Sequence, residues 1–315
     1  MQTIRQAILI LILAITSGSI ISALAQSFPA SQLTFPPGTH EIPFLWQGDT
    51  VHAKWEPHAA MLIPVKLKGC PKQFYMQFDL GAPTTILYLH KMNAIREKYP
   101  QAVPDSPHTS FSFTTGNTPV NAHSISLMQS DNSGIDWTAK NKVIIGTIGT
   151  DLIDGRIAVI DYPRQRLTLA TEVPQKIARN IRMESFVYMG RKVLLPTTIL
   201  GQHKLLFFDT GSSMYTLLTD RATCEQMAIP GTPVMQSKSW SWNKWLTTNS
   251  MATGDSIAIA SLKIAIRTVT YIEDADPAQA AHMKRMGIGG MTGNKLFLPY
   301  KLVLDTKNKM FGIMR

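Results

Sequence analysis

The chain has 315 residues, 44% hydrophobic and 17% charged, with 31 Lys and Arg against 21 Asp and Glu and a formal net charge of +10. That length and apolar content suit one large or two medium globular domains. The basic residues are scattered rather than gathered on one stretch, which argues against nucleic-acid binding. The 8 His show no HExxH or comparable ligand spacing, so no metal is expected.

Residues 1–25 read as a secretory signal peptide. Arg5 gives a weak positive start, residues 8–21 are almost wholly apolar, and Ala23-Leu24-Ala25 is a small-residue cleavage pattern before Gln26. The competing reading is an uncleaved membrane anchor, for which the apolar run is short. Cleavage removes Arg5 and leaves +9 (10 − 1), with no stable membrane span, and places the mature protein outside the cytoplasm, periplasmic or secreted. Residues 26–39 read as an extended leader rich in Pro and Ser.

From residue 40 onward, short stretches rich in Val, Ile, Leu, Phe and Thr alternate with Gly, Pro, Asn and Asp, the pattern of an all-β protein with many short strands. Residues 62–68 and 74–79 form a hairpin around Gly69-Cys70-Pro71-Lys72, and residues 193–200 and 205–209 form its counterpart. Residues 90–98 and 219–227 are helical, the second with Thr219 as N-cap, and each ends near a proline, Pro100 and Pro230. A turn at Thr114-Thr115-Gly116-Asn117 makes residues 108–123 a hairpin in the position of a flap. Lys176, Arg179, Arg182, Arg191 and Lys192 read as a solvated connector, which sets the lobes at 40–174 and 175–315. Trp240, Trp242 and Trp245 suit either a sheet face or the wall of a cleft. Cys70 and Cys224 are the only cysteines, and their spacing supports no disulfide.

Two segments stand out: Phe78-Asp79-Leu80-Gly81-Ala82-Pro83 and Phe208-Asp209-Thr210-Gly211-Ser212-Ser213. Each puts one carboxylate on an Asp-X-Gly turn after an apolar run. The surroundings repeat as well. Ile63-Pro64 precedes the first turn and Leu195-Pro196 the second, an offset of 132 (195 − 63). Downstream, Ile148-Gly149-Thr150 and Ile157 to Asp161 correspond to Thr292-Gly293-Asn294 and Lys301 to Asp305 at an offset of 144 (293 − 149). One order of elements with different loop lengths is an internal duplication. It predicts two pseudo-symmetric lobes with Asp79 and Asp209 face to face.

Two carboxylates that close share one proton. The ionised member can activate a water while the protonated member polarises a carbonyl. Gly81 and Gly211 allow close backbone approach, and Ser212 can hydrogen-bond its carboxylate. Other chemistries fit poorly. The Gly-rich run at 287–295 lacks the Gly-Lys-Ser/Thr end of a phosphate loop, and no G-x-S-x-G elbow occurs.

Asp-Thr-Gly-Ser at 209–212, Asp-Leu-Gly-Ala at 79–82 and the apolar-Gly segments at Gly149 and Gly293 resemble the pepsin-like and retropepsin-like aspartic peptidases over about residues 60–315. That resemblance implies an all-β protein of two lobes with a cleft between them. It implies Asp79 and Asp209 as the catalytic pair, supported by Gly81, Thr210, Gly211 and Ser212. It also implies a peptide or protein substrate, a monomer, and no cofactor. Leu80 departs from the pattern, because the family has Thr or Ser there, whose hydroxyl reaches the opposite turn. Ala82, by contrast, matches the retroviral type. The residues therefore leave two readings open, an exported aspartic endopeptidase and a non-catalytic pepsin-fold protein that holds a peptide or glycan. Leu80 favours the second and the retained Asp pair the first.

Overall fold

The computed structural model describes residues 32–51, 53–103, 108–129, 134–138, 141–241, 244–273 and 275–315. The expected signal peptide, the first part of the leader, Trp242 and the side chain of Trp240 lie outside the described residues. The rest of the leader joins the first lobe. Leu33–Thr34 pairs with the strand Thr118–Met128, and Leu33 is buried.

Each lobe is built on the same unit. In the first, Lys54–Leu67 runs antiparallel to Phe74–Phe78, which lies parallel to Ile144–Ile148. In the second, Lys192–Ile199 runs antiparallel to Gln202–Phe208, which lies parallel to Ile288–Thr292. The parallel pairs share a register shift at equivalent places, between Tyr75 and Met76 and between Leu205 and Leu206, an offset of 130 (205 − 75). Strands in such a position are covered on both faces and read as near-continuous apolar runs. Phe74, Phe78, Leu206 and Phe208 are accordingly inaccessible to solvent. The all-β architecture of two pseudo-symmetric lobes expected from the duplication is the architecture observed.

A six-stranded sheet joins the lobes, in the order Glu184–Ser185, Met310–Met314, Lys301–Asp305, Ile157–Asp161, Arg166–Ala170 and His40–Pro43. Its central antiparallel pair sets Val159 opposite Val303. These residues are 144 apart (303 − 159), so the twofold axis of the duplication passes between them. The outer turns repeat too. Asp161 Oδ1 accepts from Arg164 N at 3.1 Å and Asp305 Oδ1 from Asn308 N at 2.8 Å, each carboxylate closing its turn.

The helices differ in detail from the sequence reading. Leu89–Lys98 buries Met92 and Ile95 and ends in Arg96 and Lys98, favourable at a helix C-terminus. The helix Arg221–Met227 is capped by Asp220, whose Oδ1 accepts from Thr223 N at 2.9 Å. Thr219 is not the cap, because its hydroxyl donates to Gly289 O at 2.6 Å. A further helix, Pro277–Arg285, follows an Asp276 cap and starts on proline. Among the described residues no helix is long and apolar enough to cross a membrane.

The hairpin His108–Thr115/Thr118–Met128 exists, but its turn is not a free flap. Thr115 and Thr118 are buried, and Gly116 packs against Pro43 and Glu41 of the interlobe sheet. A register shift between Thr109 and Phe111 and a positive φ at Ser124 accompany this placement. Trp245 stands exposed beside the buried Leu246. Cys70 and Cys224 are free and buried, and burial pushes the Cys224 thiol up to about 12.

Candidate active site

Asp79 and Asp209 sit where the two central parallel strands end. Their backbones are fixed alike, Asp79 N donating to Ile148 O and Asp209 N to Thr292 O, both at 2.9 Å. Each chain then turns tightly, with Ala82 N bonding back to Asp79 O and Ser212 N to Asp209 O. These turns bring the carboxyls of the two lobes together, so that the Oδ1 atoms of both acids pack against Gly81 and each acid acts on the other's ionisation. Neither residue is exposed to solvent.

The glycines explain how the approach is possible. A Cβ on Gly81 would lie 2.7 Å from Asp209 Oδ1, and one on Gly211 would lie 2.5 Å from Asp79 Oδ1. Each lobe's glycine thus rests against the other lobe's carboxyl, where no side chain fits. Both backbones also donate to their own acid, Gly81 N to Asp79 Oδ1 and Gly211 N to Asp209 Oδ1, each at 2.8 Å.

The remaining support is unequal. Thr210 Oγ1 crosses the interface, donating to Phe78 O at 2.8 Å and accepting from Leu80 N at 2.9 Å. Leu80 returns no such bond. Its side chain is inaccessible and belongs to the main hydrophobic core. Ser212 Oγ donates to Asp209 Oδ2 at 2.8 Å, whereas Asp79 has only a second backbone donor, Ala82 N at 3.3 Å. Asp79 Oδ2 is buried with no donor from elsewhere in the described residues.

Electrostatics follow from this asymmetry. Burial raises both carboxyls above the usual range. Asp79 is raised further by the charge of Asp209, while Asp209 is partly held down by the bonds it accepts from Asp79, Ser212 and Gly211. The extra bond from Ser212 thus favours ionisation of Asp209 over Asp79.

The structure brings together Asp79, Gly81, Asp209, Thr210, Gly211 and Ser212 as the sequence reading grouped them. It adds residues that reading did not assign. Thr150 Oγ1 donates to Leu80 O at 2.9 Å and Asn294 Nδ2 to Thr210 O at 3.0 Å, an equivalent pair at the offset of 144 (294 − 150). The repeated segments at Gly149 and Gly293 carried that signal. Arg191 is a correction: it is 5% exposed rather than a solvated connector charge, because its guanidinium pairs with Asp154 at 2.9 Å and donates to Pro83 O at 3.3 Å. Across the interface Glu56 pairs with Lys295, and Ser213 Oγ donates to His58 O at 2.7 Å. Among the described residues no cluster of His, Cys, Asp and Glu could hold a metal ion.

No protein-family model and no curated protein matches the chain. Among solved structures it is similar to the crystal structure of aspartic proteinase from Irpex lacteus, with 12% sequence identity and a TM-score of 0.49, covering 87% of this chain and 96% of that one.

Proposed function

We propose that the protein is an aspartic endopeptidase, exported by the segment 1–25, which hydrolyses peptide bonds with water activated between Asp79 and Asp209. One observation carries this reading: two buried carboxyls from equivalent turns face each other, each against the glycine of the other's turn, an arrangement in which a pair shares one proton. The ionised Asp209 takes a proton from water as it attacks the scissile carbonyl carbon. The protonated Asp79 hydrogen-bonds the carbonyl oxygen and passes its proton to it, giving a neutral gem-diol. Collapse of the diol breaks the C–N bond, and the pair returns a proton to the leaving amine. No enzyme-bound acyl group forms and no cofactor enters. One chain supplies both acids, which supports a monomer working on a peptide or protein substrate.

A second reading, a non-catalytic pepsin-fold protein holding a peptide or glycan, is favoured by one observation. The dyad is closed to solvent, so a substrate reaches it only if the lobes or hairpins part. The deciding experiment incubates the protein lacking residues 1–25 with a denatured protein substrate from about pH 3 to 7, with and without a statine-type inhibitor. Inhibitor-sensitive cleavage supports the peptidase. Binding of peptide without cleavage at any pH supports the second reading.

A further inference from the structure

The lobe-1 turn lacks two supports that its twin possesses, the hydroxyl at position 80 and the hydroxyl at position 82. Yet the Asp79 carboxyl is held against Gly211 of the other turn, beside Asp209. Something else fixes this turn in place.

The candidate lies in a two-residue hairpin turn of the second lobe. Met189 pairs with Lys192, leaving Gly190 and Arg191 as the turn, with φ of 58° and 59°. Such turns take positive φ at both central residues, where Gly, Asn and Asp are favoured. Arginine is an unfavourable choice there, because its Cβ crowds the following carbonyl oxygen. Its side chain shows what offsets that cost. It is 5% exposed, its Nε pairs with Asp154 Oδ2 at 2.9 Å, and its Nη1 donates to Pro83 O at 3.3 Å. Tyr188, three residues before Arg191, fixes the other oxygen of Asp154 by donating to Oδ1 at 3.0 Å. Hairpin and acid together aim the guanidinium at the turn.

The target is informative. Pro83 lies four residues past Asp79 (83 − 79), as Ser213 lies four residues past Asp209 (213 − 209). Ser213 is gripped in turn by the first lobe, donating to His58 O, with the Glu56–Lys295 pair beside it. Each lobe therefore holds the other's catalytic loop at the same position. The ion pairs run in opposite senses, since the first lobe's hairpin supplies an acid and the second lobe's supplies a base.

The geometry points to Arg191 as a positioning residue for the dyad. From the second lobe it holds the carbonyl of Pro83, and so sets the Asp79 turn against Asp209 where Leu80 supplies no cross-lobe hydroxyl. This assignment rests on the peptidase reading for its effect on turnover but not for its effect on the carboxyl pair.

The test compares the wild type with Arg191→Gln, Arg191→Lys and Asp154→Asn. Two quantities are measured: kcat and KM on a peptide substrate, and the titration of the two carboxyls followed by carbon NMR. In Arg191→Gln, kcat is expected to fall about tenfold, the equivalent of about 1.4 kcal/mol, with KM nearly unchanged. The upper carboxyl transition is expected to move down as the acids separate, and added guanidinium should reverse both changes. Asp154→Asn, which keeps the bond to Pro83 O but loosens its aim, should shift both in the same direction by less. If Arg191→Gln does not fold, Arg191→Lys decides on the same two readings. A folded variant with unchanged kcat and unchanged carboxyl titration overturns the role of Arg191. An inactive wild type whose carboxyl titration still responds to Arg191 overturns the peptidase reading and leaves the positioning role intact.

Discussion

The two Asp-bearing turns have the same backbone and different fastenings. In the second lobe the turn is held by its own hydroxyls, Thr210 reaching Phe78 and Leu80 and Ser212 reaching its own carboxylate. In the first lobe those positions are Leu80 and Ala82, which donate nothing from their side chains. The turn shares with its twin a bond from the downstream segment, Thr150 on Leu80 O as Asn294 on Thr210 O, and is otherwise held from the second lobe, by Thr210 on Leu80 N and Arg191 on Pro83 O. A duplicated unit can thus keep its geometry while moving its hydrogen bonds, because a turn needs its polar groups satisfied but does not dictate which side chain does so. The electrostatic consequence is a division of labour. The richly bonded acid, Asp209, is the easier to ionise, and the sparsely bonded Asp79 the easier to protonate.

The sharpest way to break that comparison is to remove each acid. Asp79→Asn and Asp209→Asn should each reduce turnover by about 10²–10⁴-fold, since neither carboxyl alone both gives and takes a proton. The variants should differ in stability. Burial raises the Asp79 carboxyl, so the folded state binds its proton more tightly than the unfolded chain does. That stabilisation is fully present below the unfolded value and is lost as pH rises through the folded one. At neutral pH, Asp79→Asn should therefore melt higher than the wild type. The gain is about 1.4 kcal/mol for each unit by which the carboxyl was displaced. Melting curves at pH 4 and 7 check it, and an equal gain at both would break the assignment.

Thr210→Val tests the strong side of the comparison. It deletes two cross-lobe hydrogen bonds and leaves Phe78 O and Leu80 N unpaired, costing about 1–3 kcal/mol in denaturant unfolding. Leu80→Thr tests the weak side. Leu80 is inaccessible and packed in the core, so the smaller, polar side chain should lower stability by about 1–2 kcal/mol and leave turnover unchanged or lower. A rise in turnover would show that the missing hydroxyl limits the dyad. Ser212→Ala makes the second turn resemble the first. Losing a bond to the ionised form raises the Asp209 carboxyl, so the acid limb of the pH–rate profile should move to higher pH. The stability loss should be about 0.5–1.5 kcal/mol.

Much of this site was legible before any coordinates. Asp-X-Gly turns repeated at fixed offsets mark backbone that must bend sharply after an apolar strand, and that requirement is local. The central hairpins, the helix Leu89–Lys98 and the twofold relation of the lobes followed for the same reason. The helix cap was missed because Thr219 and Asp220 are both good caps, and the choice fell to a carbonyl, Gly289 O, distant in sequence. The hairpin expected over 108–123 was located in the chain, where it runs to Met128, but not in space, because whether a turn stands free depends on what packs against it.

Arg191 marks the boundary between the two kinds of information. As a sequence symbol it is one basic residue among several near a lobe junction, and solvation is the ordinary fate of such a residue. Only the tertiary fold brings Asp154 and the Pro83 carbonyl to it from more than thirty residues away, and burial follows from those partners. The sequence by itself determined which residues form the turns, which two acids they carry and that the halves correspond, since these depend on local backbone preference and periodicity. The tertiary structure alone decided which acid is the easier to ionise and which side chains fasten each turn. It also decided that Leu80 is a core residue. Those outcomes depend on desolvation and on contacts between segments far apart in the chain.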